Sequence, residues 1–174
     1  MALNTEVYVS DYFVGKWYAT AEIIKGLKLT ANYGINTSSQ RYQTTANPYY
    51  GQYAQQGGYA EVRQTRFLST NKQLLATYTN KFDLHNVDVL LGYEDYSFKS
   101  SRLSGFKQKL FQPFVAELDN AILLPNTSSS STLYASLGYL GQVKYDYDSK
   151  YYASFSYRRD ASSVFAPENR WGNF

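Results

Sequence analysis

The chain has 174 residues, 44% of them apolar and 18% aromatic, with 19 tyrosines, no cysteine and a formal net charge of +3. The aromatic content excludes disorder, and the lack of cysteine excludes disulfide scaffolds, thiol catalysis and Cys-type zinc sites. The longest unbroken aliphatic run, Ala121 to Leu124, excludes a spanning helix, which needs roughly 18–20 apolar residues.

The opening stretch, MALNTEVYVSD, has neither a basic n-region nor an apolar h-region, so no signal peptide is expected. From Phe13 to Ile24 the residues alternate. Phe13, Gly15, Trp17, Ala19, Ala21 and Ile23 make an uncharged face, while Lys16, Thr20 and Glu22 lie on the other. A period of two predicts a strand whose faces meet different surroundings. Lys25-Gly26 reads as a tight turn. The alternation then restarts, with Leu27, Leu29, Ala31, Tyr33 and Ile35 against Lys28, Thr30, Asn32, Gly34 and Asn36. The two runs predict a hairpin.

Residues 47–58 (NPYYGQYAQQGG) have loop composition. A long run from Tyr59 to Phe82 follows, with Leu74, Ala76, Tyr78, Asn80 and Phe82 on one face of its second half. Residues 83–86 (DLHN) predict a second short turn. Then Val87, Val89, Leu91 and Tyr93 oppose Asp88, Leu90, Gly92 and Glu94, and the strand signal fades through residues 96–99. Residues 104–131 read as the longest irregular stretch. A short helix or packed loop is expected within 114–124, and Ser128–Ser131 as a mobile low-complexity run. Alternation returns with Leu137, Tyr139, Gly141, Val143, Tyr145 and Tyr147 against Gly138, Leu140, Gln142, Lys144 and Asp146. After a turn at Asp148-Ser149 comes a last strand, with Tyr151, Ala153, Phe155 and Tyr157 opposite Tyr152, Ser154, Ser156 and Arg158.

The expectation is an all-β, antiparallel up-and-down meander of about six long strands. Alternating runs of about 9–12 residues match a tilted bilayer crossing. Short turns at one end and long loops at the other match a transmembrane barrel. The uncharged face carries Trp17, Tyr33, Phe82, Tyr93, Tyr139, Tyr147, Tyr151 and Phe155, assigned here to lipid and its aromatic girdles. The other face carries Lys16, Glu22, Lys28, Asn32, Asp88, Glu94, Gln142, Lys144 and Arg158, assigned to a watery lumen. A soluble or surface-exposed β-sandwich that binds glycans as an adhesin shows the same alternation and is the competing reading.

The stretch Val143 to Phe174, VKYDYDSKYYASFSYRRDASSVFAPENRWGNF, resembles the SusC/RagA-type TonB-linked outer-membrane transporters. Their barrels carry a similar Tyr-Asp-Tyr turn, a Ser-Tyr-Arg-Arg-Asp strand and an Asn-Arg-Trp-Gly-Asn-Phe passage. Residues 23–34 (IIKGLKLTANYG), 47–54 (NPYYGQYA) and 85–94 (HNVDVLLGYE) resemble them in the same order. The resemblance implies the bacterial outer membrane, a 22-stranded barrel around an N-terminal plug, and import of oligosaccharides or peptides. It also implies a SusD-like surface lipoprotein as lid and energy supplied through TonB. Residues 1–174 then correspond to a mid-barrel fragment without plug, signal peptide or TonB-contacting segment, Phe174 being a truncation point. Such a piece is not expected to transport anything alone.

No chemistry-bearing motif competes with this reading. No Gly-x-Ser-x-Gly, phosphate-binding loop or dinucleotide fingerprint is present, so neither enzyme activity nor a cofactor is expected. Single His85 reads as a solvated turn residue, and the carboxylates Glu94-Asp95 and Glu117/Asp119 as ordinary charged positions. Tyr49, Tyr50, Tyr53 and Tyr59 flank the first long loop. Their rings suit sugar stacking as cargo contacts; packing within the loop or against the lid is the plainer expectation. Arg158 and Arg159 are expected to end the last strand. Arg159, on the uncharged face, is a candidate for lipopolysaccharide phosphate, with an ion pair to a neighbouring strand the plainer fate.

Overall fold

The computed structural model describes residues 4–174. It contains seven strands: β1 (Thr5–Ile24), β2 (Leu27–Ala46), β3 (Tyr59–Phe82), β4 (His85–Leu110), β5 (Ala121–Tyr147), β6 (Tyr151–Ser162) and β7 (Trp171–Asn173). They follow one another across a single sheet in chain order, the all-β meander expected from the alternation. Short 3-10 turns at Ala54–Gln56, Leu118–Asn120 and Pro167–Asn169 sit in the longer connections.

The short turns, two residues at 25–26 and 83–84 and three at 148–150, follow from local chemistry. Gly26 takes a φ of 85°, and Asp83 and Asp148 take 54° and 52°, the left-handed values that Gly tolerates best and Asp more readily than most. The β1–β2 turn is held from outside as well. The Thr79 amide on β3 donates to the Gly26 carbonyl at 2.9 Å. At the third turn the Asp148 amide donates to the Leu84 carbonyl at 2.8 Å.

Several sequence expectations are corrected. A seventh strand forms from the Trp171–Asn173 passage, pairing Trp171 with Ala161 and Asn173 with Arg159. Strands β1 to β5 run 20 to 27 residues rather than about a dozen. The irregular stretch of 104–131 shrinks to 111–120, because β4 continues to Leu110 and β5 opens at Ala121. Ser128–Ser131 is strand, not a mobile run. The second turn is residues 83–84 only, so His85 and Asn86 begin β4. Arg158 and Arg159 lie inside β6, which extends to Ser162.

The described residues cluster into two compact units. One comprises the residues up to Phe13, with Thr37–Leu68 and Lys99–Thr132; the other comprises Val14–Asn36, Ser69–Phe98 and Leu133–Phe174. The first unit buries small side chains: Ser38, Thr44, Thr45, Ala46, Ala60 and Ala121. In the second, large apolar side chains stay open. Trp17 is 54% exposed, Tyr139 48% and Phe155 70%. A water-soluble sandwich would bury such rings against a second layer. Among the described residues no second layer covers them.

Candidate functional site: a two-faced sheet

The β5–β6 register fixes the faces. Tyr139 opposes Arg159, Gly141 opposes Tyr157, Val143 opposes Phe155, Tyr145 opposes Ala153 and Tyr147 opposes Tyr151. Leu140 opposes Arg158, Gln142 opposes Ser156 and Lys144 opposes Ser154 on the other face. Directly paired residues share a face, so the uncharged and charged sets of the two strands coincide, with Arg159 as the one charge that falls among the rings.

On the uncharged face the rings fall in two rows. In one row Trp17 stacks on Tyr33 at 5.9 Å, Tyr93 meets Tyr139 at 5.6 Å, and Tyr139 stacks on Trp171 at 6.0 Å. In the other, beside the turns, Tyr147 pairs with Tyr151 and meets His85 at 5.0 Å. His85 Nδ1 also lies 2.6 Å from the Tyr145 hydroxyl, so it is a ring-packed strand residue rather than a turn residue. Phe82 ends β3 beside this row, and Phe155 lies between the rows. On β5 the rows stand eight residues apart, Tyr139 to Tyr147. At ~3.4 Å per residue and a tilt near 40° that is a height of about 20 Å. Between them the face presents Gly141, Val143, Tyr145, Ala153, Phe155 and Tyr157, without a charge.

On the opposite face, polar side chains link strand to strand. Asn32 Nδ2 donates to Gln73 Oε1 at 2.8 Å, and Gln73 Nε2 donates to Glu94 Oε1 at 2.7 Å. Arg158 then donates to Glu94 Oε2 at 2.9 Å and, through Nε, to both oxygens of Asp160 at 2.9 and 2.8 Å. The row joins β2, β3, β4 and β6. Over β5 it passes Gly138, where an added Cβ would lie 2.5 Å from Asp160 Oδ1 and 3.2 Å from Arg158 Nη2. A cleft of about 570 Å³ opens beside it, lined in part by Asn71, Tyr96, Tyr134, Glu94 and Arg158. Thr79 Oγ1 donates to Asp88 at 2.6 Å, and Gln142 donates to Ser156 at 3.1 Å, on the same side.

The sequence-predicted polar residues Asn32, Glu94 and Arg158 are thus brought together. Gln73 and Asp160 complete the row and were missed. Both share the parity of predicted neighbours, and one further step of the alternation finds them. Lys16, Glu22 and Lys28 are exposed on β1 and β2, outside the row. The Glu94-Asp95 pair is split between the faces: Asp95 turns away and pairs with Lys72 at 3.4 Å. Glu117 pairs instead with Arg41 at 3.0 Å. No group of three or more His, Cys, Asp or Glu among the described residues has the arrangement of a metal site.

The four loop tyrosines separate into two pairs. Tyr53 packs edge-on against Tyr59 at 4.7 Å, and Tyr59 meets Phe106 at 5.1 Å. Burial pushes the Tyr59 phenol above its ordinary value, partly opposed by a hydrogen bond with the Thr44 side chain. Tyr49 and Tyr50 are exposed, their amides both held by Asn47 Oδ1 at 2.7 and 3.2 Å. Arg159 forms no ion pair among the described residues, contrary to expectation. Its guanidinium carbon stands 4.8 Å over the Trp171 ring.

A meander with one ringed face, free of charge between its two rows of rings on β5 and β6, and one hydrogen-bonded polar face is the architecture of transmembrane barrel wall. Known proteins specify the type. No family model matches the chain. It is 25% identical over 167 residues to TonB-dependent receptor P3 of Formosa agariphila, covering 95% of this chain and 17% of that receptor. It is 27% identical over 150 residues to the TonB-dependent receptor SusC of Bacteroides thetaiotaomicron, covering 85% of this chain and 14% of SusC. The RagAB peptide transporter structure superposes with a TM-score of 0.85 at 23% identity over 98% of this chain and 20% of the transporter chain. The siderophore receptor PiuA of Acinetobacter baumannii superposes with a TM-score of 0.53 at 9% identity over 94% of this chain and 28% of that one. The chain therefore resembles a stretch of TonB-dependent-receptor barrel wall, of the SusC type by sequence. It spans less than a fifth of the length of these curated relatives.

Proposed function

We propose that the chain is a wall segment of a TonB-dependent importer in a bacterial outer membrane, residues 1–174 being part of the barrel domain of a longer protein. The observation that carries this reading is the exposed, charge-free ringed face between two aromatic rows. An Arg or Lys at the centre of such a face costs ~2–4 kcal/mol in lipid, which accounts for their absence between the rows. That face holds the segment in the bilayer. Trp17, Tyr33, Tyr93 and Tyr139 sit at one headgroup layer, Phe82, Tyr147 and Tyr151 at the other, and Phe155 between them. The face bearing Lys16, Glu22, Lys28, Asn32, Asp88, Glu94, Gln142, Lys144 and Arg158 lines the aqueous interior.

In the whole importer the cargo is an oligosaccharide or peptide, the second being the cargo named for the RagAB structures. A SusD-like lipoprotein meets the long loops, and TonB supplies energy. Tyr49 and Tyr50, the two rings that the first loop leaves exposed, are the contacts to cargo or lid. A segment of this kind is not transport-competent alone and carries no enzymatic role.

Membrane fractionation and extraction of the intact protein test the reading. It is expected in the outer-membrane fraction and to stay monodisperse only in detergent or lipid. A detergent-free, monodisperse monomer with a sharp thermal transition overturns it in favour of the soluble sandwich.

A further inference from the structure

The charge on Arg159 stands apart from the pattern of its surroundings. Its neighbour Arg158 is satisfied by Glu94 and Asp160 on the polar face. Arg159 lies on the ringed face, directly opposite Tyr139 in the register, and is exposed. Among the described residues it meets no carboxylate; it lies over Trp171, which stacks in turn on Tyr139. A guanidinium that uses its flat face on a ring keeps its in-plane N–H groups free, and two parallel N–H donors match a phosphate.

The next residue pair toward the turns is Gly141 opposite Tyr157. A Cβ added at Gly141 would meet only Leu91 Cδ2, at 3.6 Å. The glycine therefore leaves a dent in the apolar face immediately below the Arg159–Tyr139 pair, edged by Tyr139, Tyr157 and Leu91. A free cation at the ring row with an apolar hollow beneath it has the form of a phosphorylated lipid: headgroup above, chain below.

We propose that Arg159 and the hollow at Gly141 form a binding site for a phosphorylated membrane lipid, with the phosphate on the guanidinium and an acyl chain laid over the glycine. The site rests on the reading of the ringed face as the lipid-contacting one. It adds to that reading a particular residue that selects headgroup charge. Trp171 and Tyr139 position the guanidinium, and Tyr157 and Leu91 wall the chain.

The test uses the intact protein carrying this segment, purified in detergent, with bound lipid counted by native mass spectrometry. The probes are bisphosphorylated lipid A, the same glycolipid stripped of phosphate, and inorganic phosphate. Wild type is expected to hold lipid A in preference to the dephosphorylated form. Arg159→Gln loses roughly tenfold in occupancy, the scale of one charged hydrogen-bonded contact, and Arg159→Lys, which keeps the charge but not the stacked paired donors, falls between that variant and wild type. Gly141→Phe, which fills the hollow with the cation intact, lowers occupancy as well. Equal occupancy in wild type and Arg159→Gln overturns the proposal, as does equal binding of the dephosphorylated glycolipid. Displacement of lipid A by inorganic phosphate at matched concentration also overturns it, since the ligand is then the free ion. If the protein inserts into vesicles and these results fail, only this site is lost. If it neither inserts nor needs detergent, the membrane reading itself is lost.

Discussion

Arg158 on β6 and Glu94 on β4 bond at 2.9 Å, two strands apart, over a glycine on the strand between them. Gly138 opposes Asp160, so the absence of a side chain there opens the path for the guanidinium. The pair is part-exposed, at 46% for Arg158 and 30% for Glu94, so its contribution is modest. A double-mutant cycle of Arg158→Ala and Glu94→Gln is expected to give a coupling of ~0.5–1 kcal/mol, read from denaturant midpoints in lipid vesicles. The coupling should shrink at high salt. Gly138→Val should remove most of it without touching either charge, because the new side chain displaces the Asp160 carboxylate and the guanidinium together.

The two faces should respond oppositely to one charge. Val143 lies midway between the Tyr139 and Tyr147 rows, and Gln142 is its neighbour on the polar face. Val143→Arg is expected to destabilise by ~2–4 kcal/mol in a bilayer, the cost of arginine at the lipid midplane. Gln142→Arg loses only one exposed hydrogen bond to Ser156 and should fall within about 1 kcal/mol of wild type. Equal effects would contradict the assignment of faces.

The turn at Gly26 makes a sharper demand. Its φ of 85° disfavours any side chain, and an added Cβ would lie 2.4 Å from the Thr79 carbonyl oxygen, a backbone atom that cannot swing aside. Gly26→Ala is expected to cost ~1–3 kcal/mol. Gly141→Ala, at ordinary φ with open space, should be close to neutral in the same unfolding assay.

Legibility in the sequence followed solvent contrast. Between Trp17 and Tyr33, or Tyr139 and Tyr157, one face is apolar and the other polar, so a period of two appears and the strands were readable. In the second half of β2, and at Ser128–Ser131 in β5, both faces carry Ser, Thr, Gln or Asn, and the period vanishes although the strand continues. Positive φ at Lys109 and Leu124, residues inside β4 and β5, also breaks the side-to-side alternation, as bulges do. The polar row was half legible: parity places Asn32, Glu94 and Arg158 on one face, but not at one level. That requires strand register, which hydrophobic pattern fixes only to within steps of two. The fate of Arg159 was not legible, because its partner Trp171 lies on a three-residue strand too short to show any period.

The loop tyrosines make the last test. Tyr53 packs on Tyr59 and Tyr59 on Phe106, whereas Tyr49 and Tyr50 present open rings on a turn fixed by Asn47. Tyr49→Ala with Tyr50→Ala should leave thermal stability unchanged and, under the proposed function, lower uptake or lid association by the longer protein, since each ring offers stacking worth ~0.5–1.5 kcal/mol. Unchanged uptake and lid binding would reject the contact role. Tyr59→Ala should do the reverse first, loosening residues 47–58 and destabilising the protein. Tyr59 also sets a pH dependence. Burial raises its folded-state value above the ordinary 10.0, so the folded protein holds the phenolic proton longer than the unfolded chain does. Its contribution is complete below about pH 10 and fades as pH climbs through the raised value. A Tyr59→Phe variant, having no proton to lose, should therefore lose less stability than wild type between neutral pH and strongly alkaline pH.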